Sequence, residues 1–403
     1  MSTLDVIQAQ AVERTRWPYV SLLLLVGVCA AMQVGKVPSA LPAIQRELHL
    51  DLVAAAWVLS MFSAIGGLVG FAAGSCADRF GPRTVTVLGL LCMAAASFGG
   101  ARSEGAAALL VSRAVEGMAF VLLVVAVPSL LSASAASRHK RFVPAIWGMY
   151  MPLGMAIALA LSPAVVVSLG WRALWQLNAA LLVSPALLLA MLRPPRVESR
   201  NTPAVTCAAI RRALTQREAV LLAAMFAGYT VQYLSVLGFL PTILQAQGAT
   251  AQHAGALTAL AVLANAPGNF AGGWLLGRGV AAWKLMAIGA LSMGMAGLGI
   301  FSPHLSPTAR YGLVIALSAG GGLIPAAIFG TVPAVARRAN TGAMSMGLVV
   351  QASHVGQLIG PPLVAALAAR SGGWSMSPVV LVPAACVVLA AALLLRRSNG
   401  TEQ

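Results

Sequence analysis

Three ionisable residues stand inside long apolar stretches of this sequence: Lys36, Arg113 and Glu116. A charge at the centre of a hydrocarbon layer costs on the order of 3 kcal/mol or more, so each is a candidate for chemistry. Arg113 and Glu116 are three residues apart, which on a helix puts them on one face as an internal pair. Glu116 can take up and release a proton while Arg113 adjusts its proton affinity, or the two can simply lock their helix. Lys36 has three readings: it binds an anionic group, it pairs with Glu116, or it snorkels to the nearer aqueous surface. The third has some weight, because Lys36 follows Trp17 by about 28 Å of helix at 1.5 Å per residue, close to the far edge of a bilayer core.

Neutral polar residues recur at related positions. Gln33 and Gln232 occupy equivalent places in two similar stretches, "MQVGKVPSALPAIQ" from Met32 and "VQYLSVLGFLPTIL" from Val231. Leu41-Pro42 and Ile44 likewise match Leu240-Pro241 and Ile243, all at an offset of 199, while Ser235 stands where the first copy has Lys36. Tyr229 and Tyr233 flank Gln232, and Gln351, His354 and Gln357 follow one another at roughly helical spacing. His354 titrates near physiological pH when unperturbed, although a neutral histidine bonded between helices is the competing reading.

The elements that must position these residues are membrane helices. Of 403 residues 59% are hydrophobic and 9% charged, against about 25% charged in soluble domains. Apolar runs near the twenty residues needed to cross a bilayer recur twelve times: 17–38, 54–76, 84–101, 107–131, 143–168, 173–192, 218–245, 253–276, 283–302, 310–335, 341–369 and 375–395. Strands would show short alternating segments instead. With a cytoplasmic N-terminus, nineteen Lys and Arg fall in cytoplasmic loops and five on the other side. That is the positive-inside pattern, so the net charge of +16 reports topology rather than nucleic-acid binding. The expected organisation is a cytoplasmic tail (1–16), a six-helix bundle (17–192), a cytoplasmic linker with a short amphipathic helix (193–217), a second six-helix bundle (218–395) and a cytoplasmic tail (396–403). Such a duplication is the pattern of secondary carriers, whose substrate site lies between the repeats near the midplane.

The stretch "GSCADRFGPRTV" resembles the signature loop of the major facilitator superfamily, G-x-x-x-D-R-x-G-x-R, through Gly74, Asp78, Arg79, Gly81 and Arg83. "SRAVEG", Ser112 to Gly117, is similar to the superfamily's R-x-x-Q-G motif with Glu116 in place of Gln. "GLVVQASHVGQLIGPP", Gly347 to Pro362, resembles its antiporter glycine-proline pattern, but in the eleventh segment rather than the fifth. The resemblance implies an all-α polytopic fold of twelve transmembrane helices in two pseudo-symmetric six-helix bundles, working by alternating access. It implies that segments 1, 4, 7 and 10 line a central cavity, and that Asp78, pairing with Arg79 or Arg83, holds the cytoplasmic side closed. The expected substrate-binding residues are Lys36, Gln33, Arg113, Tyr229, Gln232, Tyr233, Gln351 and His354, with proton coupling by Glu116 and Arg113.

Two cations against one carboxylate favour a small organic anion, or a neutral acid moving with a proton. Export of an amphipathic compound such as a drug or siderophore is the alternative. No metal cluster, nucleophile motif or Walker lysine points to an enzyme. The expected partners are the solute, protons and the bilayer, with no cofactor, no metal and no nucleic acid. A monomer in a bacterial inner (cytoplasmic) membrane, both termini cytoplasmic, completes the expectation.

Overall fold

A computed structural model describes residues 14–66, 76, 79–139, 142–192, 207–338 and 343–400. Among these the regular structure is helical and no strand occurs. Nine stretches of the described residues are long and apolar enough to cross a membrane.

α1 spans Trp17–Glu47 and continues through Pro38 and Pro42, nine residues past the boundary at 38 expected from the sequence. Membrane helices tolerate such prolines because neighbouring groups and local adjustments make up for the lost amide bonds; near the end of the helix, Arg46 Nε also donates to the Pro42 carbonyl at 3.2 Å. The extension moves the helix midpoint. Lys36 lies four residues past it, about 6 Å at 1.5 Å per residue, rather than at the far edge.

α2, Leu52–Ser60, is capped by Asp51, whose carboxylate accepts from the Ala54 amide at 2.7 Å, and passes into a 3₁₀ turn over Met61–Ser63. α3 is Pro82–Gly100, α4 Ala106–Ser134 and α5 the short Phe142–Trp147. α6, Tyr150–Met191, bends at Gly170, so its two arms are the expected fifth and sixth segments. Within the expected linker, Cys207–Thr215 forms α7. The rest of the chain forms α8 (Arg217–Ala246), α9 (Ala251–Leu263), α10 (Asn265–Gly277), α11 (Ala282–Gly299), α12 (Pro307–Gly321), α13 (Leu323–Arg338), α14 (Ala343–Ser371) and α15 (Pro378–Gly400). The expected eighth and tenth segments are therefore each broken once, at Ala264 and Gly322.

One apolar core fills the first half, with Leu23, Leu90, Leu123 and Leu189, and a larger one fills mainly the second, with Leu222, Met286, Leu317 and Ile328. A third joins them: Val37, Leu41, Leu59 and Trp171 pack with Phe239 and Ala365. It sits at the end of the bundle that carries Glu47 and Leu52, opposite the starts of α1 and α8. There α6 packs on α9 and α2 on α14, and Ser63 Oγ donates to Gln357 Oε1 at 2.9 Å.

Within the first half α4 is tied to the 3₁₀ turn at Gly117, where the Phe62 carbonyl leaves no room for a Cβ. Gly117→Ala must push the two apart, and overpacking of this kind costs about 1–3 kcal/mol. A lower thermal midpoint of the purified protein in detergent is expected; an unchanged midpoint contradicts the close approach.

Candidate functional site

The three charges meet. Lys36 Nζ donates to Glu116 Oε1 at 2.8 Å, to Gln33 Oε1 at 2.7 Å and to Ser97 Oγ at 2.8 Å. These three acceptors match the three protons of an ammonium. Arg113 pairs with the other carboxylate oxygen, Glu116 Oε2, and donates to the Gln33 carbonyl at 3.1 Å. Gln33 Nε2 donates to Asn178 Oδ1 at 3.1 Å, and Ser97 Oγ donates on to the Trp175 carbonyl at 2.9 Å. Aromatic faces cover both cations: Lys36 Nζ lies 4.4 Å from the Trp175 ring centroid and the Arg113 guanidinium 4.7 Å from that of Phe62.

Helix geometry explains the assembly. Gln33 and Lys36 are three apart on α1, as Arg113 and Glu116 are on α4, so each helix offers one polar patch to the other. α3 contributes Ser97; α6 contributes Trp175 and Asn178. Burial is complete, at 0% exposure for Gln33, Lys36 and Glu116 and 1% for Arg113. Lys36 therefore does not snorkel. Nor do these residues open onto a central cavity in this conformation; they are enclosed among α1, α3, α4 and α6. Charges removed from water need partners, and those partners lie inside the first half.

Ser97, Trp175 and Asn178 are not among the residues singled out from sequence. The usable signal was the amide of Asn178 and the hydroxyl of Ser97 in apolar runs, since a buried charge demands polar neighbours on adjoining helices.

The second-half residues form a different surface. On α8, Phe226, Tyr229 and Tyr233 share one face and stack, with centroids 5.9 and 5.4 Å apart. Asn265 Nδ2 donates to Tyr229 Oη at 3.2 Å and to the Ser318 carbonyl at 2.9 Å, at the break between α9 and α10. Gln232 is wholly buried, with Nε2 donating to the Gly228 carbonyl at 3.2 Å and Oε1 without a partner among the described residues. His354 is buried on α14, its ring against Gly66, and its Nδ1 likewise lacks a partner among the described residues. Gln351 lies one turn before it, partly exposed. No hydrogen bond among the described residues joins this group to the charged network. Tyr233 is partly exposed, as are Val34 and Met151 from the first half, and all three border the second-half core.

The model of the Major Facilitator Superfamily matches residues 23–351. The chain belongs to this superfamily. It is a membrane transporter, not an enzyme. This transporter is 26% identical over 385 residues to the putative niacin/nicotinamide transporter NiaP of Bacillus subtilis, covering 93% of each chain. It is 26% identical over 190 residues to the lincomycin resistance protein of Streptomyces lincolnensis, a stretch that is 47% of this chain and spans only 39% of that one. A bacterial homologue of the human lysosomal transporter Spinster, in an inward-facing and unoccupied conformation, shares the fold with a TM-score of 0.75 at 17% identity, over 93% of this chain and 97% of that chain.

Of the superfamily loop motif, Gly74 and Asp78 lie outside the described residues. Gly81 adopts φ 83° immediately before α3, a conformation that a residue without Cβ takes at no steric cost. Arg79 is exposed, its guanidinium over the Phe80 ring. Arg83 donates to the carbonyls of Leu189 and Ala190, capping the C-terminal turn of α6, where unpaired carbonyls attract a cation.

The network has a clear order of vulnerability. Glu116→Gln leaves two buried cations without a carboxylate and is expected to cost about 3–5 kcal/mol. Lys36→Met leaves Arg113 paired with Glu116 Oε2 and strips one donor each from Glu116 Oε1, Gln33 and Ser97, a smaller loss of about 1–3 kcal/mol. Thermal midpoints in detergent should fall in that order; a Lys36→Met protein less stable than Glu116→Gln contradicts it.

Proposed function

We propose that this transporter moves a small organic anion together with a proton, by alternating access between two six-helix halves, 17–192 and 218–395. The observation that carries this reading is the buried trio of two cations and one carboxylate, all at most 1% exposed. Its excess positive charge is expensive in low dielectric. An anion bound near the trio offsets the charge, and so does loss of one proton from it. Anion and proton then come and go together, and a monoanion crosses with no net charge moved. Similarity to a putative niacin/nicotinamide transporter over 93% of both chains favours a solute of that size and class.

In this reading Lys36, Gln33, Arg113 and Glu116 form the coupling element, and Tyr229, Tyr233, Gln232, Gln351 and His354 contribute the opposing wall. Twelve crossings with the linker 193–217 and the tails 1–16 and 396–403 cytoplasmic, in a bacterial inner membrane and as a monomer, complete the proposal. The third apolar core then seals the outer side, and the conformation is inward-facing. Asp78, with Arg79 or Arg83, closes the cytoplasmic side in the alternate state. Asp78→Ala should slow turnover while leaving solute binding measurable; unchanged turnover contradicts the lock.

A second reading, export of an amphipathic compound, is favoured by the stacked aromatic face of α8 and by the partial match to a lincomycin resistance protein. Reconstituted vesicles separate the two. Uptake of nicotinate and other monocarboxylates should follow an imposed pH gradient and ignore an imposed membrane potential. If only amphipathic cations or neutral drugs move, the anion reading fails and export takes its place.

A further inference from the structure

We infer that Lys36, rather than Glu116, holds the transported proton, and that Ser97 is the hydroxyl that allows it to be released. The inference rests on the coupling reading above and assigns the proton to one atom. Each oxygen of Glu116 already accepts from a cation, Oε1 from Lys36 and Oε2 from Arg113. A proton placed on either would face a donor, with no acceptor turned toward it. Arg113 cannot supply the proton, because a guanidinium stays charged in proteins. Lys36 is the remaining member, and its surroundings suit both of its states.

As an ammonium, Lys36 donates to Gln33 Oε1, Ser97 Oγ and Glu116 Oε1, while the Ser97 hydroxyl donates to the Trp175 carbonyl. As an amine it has two protons and one lone pair. Those protons stay on Gln33 and Glu116, and the Ser97 hydroxyl, a free rotor, turns from the Trp175 carbonyl to donate to Nζ. One proton leaves and one hydroxyl rotates. The network then holds one cation and one anion, Arg113 and Glu116, and its excess charge is gone.

Glu116 and Arg113 of α4 are the titratable groups that face Lys36. α3 and α6 present Ser97, Trp175 and Asn178, α1 itself presents Gln33, and none of these titrates. The described residues of α2, α5 and α8 bring no ionisable group within ion-pair reach of it. Because Lys36 is sealed here at 0% exposure, proton exchange with water belongs to another conformation of the first half.

The chain contains only three lysines, Lys36, Lys140 and Lys284, so the assignment can be read directly. The full-length protein labelled at lysine Nζ and glutamate Cδ is titrated by NMR from acid to alkaline pH. The Lys36 signal is assigned by its loss in Lys36→Gln, or by elimination using Lys140→Arg and Lys284→Arg if that variant does not fold. The expected result is a Lys36 Nζ signal that passes from ammonium to amine while the Glu116 carboxylate signal stays constant. A Glu116 signal that becomes a protonated carboxyl while Lys36 stays charged, or two signals that never change, overturns the assignment. In vesicles, Lys36→Arg should lose at least tenfold in pH-driven uptake of nicotinate; Lys36→Arg coupled like wild type also overturns it. Wild-type uptake of monocarboxylates that ignores the pH gradient defeats the coupling reading instead, whatever the NMR titration shows.

Discussion

Two cations share one carboxylate at a depth where water is excluded, and much of the first half is arranged around that fact. An unpaired ion there costs several kcal/mol, so every donor needs an acceptor with good geometry. Gln33, Ser97 and Asn178 supply acceptors from three helices, and the Trp175 and Phe62 rings cover the remaining cationic surface. These contacts dictate which faces α1, α3, α4 and α6 turn toward one another. The 3₁₀ turn after α2 is held against α4 one residue beyond Glu116, at Gly117. The same node that could sense a proton is therefore wired into the helix on the seam between the halves.

The second half keeps the skeleton without the charge. Ser235, which replaces Lys36 in the repeat, is buried with its Oγ unpartnered among the described residues, close to Gly360 of α14. Where the first half buries its ion pairs, this half has stacked tyrosines and an asparagine bridging two helix breaks. The first half buries an ion-pair network, and the second buries a tyrosine beside the Asn265 amide. Contacts between the halves include an apolar core at one end and a neutral Ser63–Gln357 hydrogen bond. Such a seam can part without breaking ion pairs, whereas the charged network must move as a unit with its own half.

The class, the fold and the identity of the charged residues were legible in the sequence, because each rests on local physics. A chain with 9% charged residues and repeated apolar runs has to place most of its surface in lipid, and an ionisable residue inside such a run is conspicuous by its cost. The recurrence of the same residues at a constant offset of 199 was visible in the chain itself. What these signals lack is lateral information and depth: they put Lys36 inside an apolar run, without saying which neighbour it meets or how far it lies from water. Only the packed helices decided that it meets Glu116, that Ser97 and Asn178 complete the set, that α1 runs on to Glu47 and so centres the lysine, and that Gln232 and His354 stand apart from the charged network. Those outcomes depend on helix rotation and crossing, which come from side-chain packing between segments far apart in the chain, and no spacing within one segment encodes them.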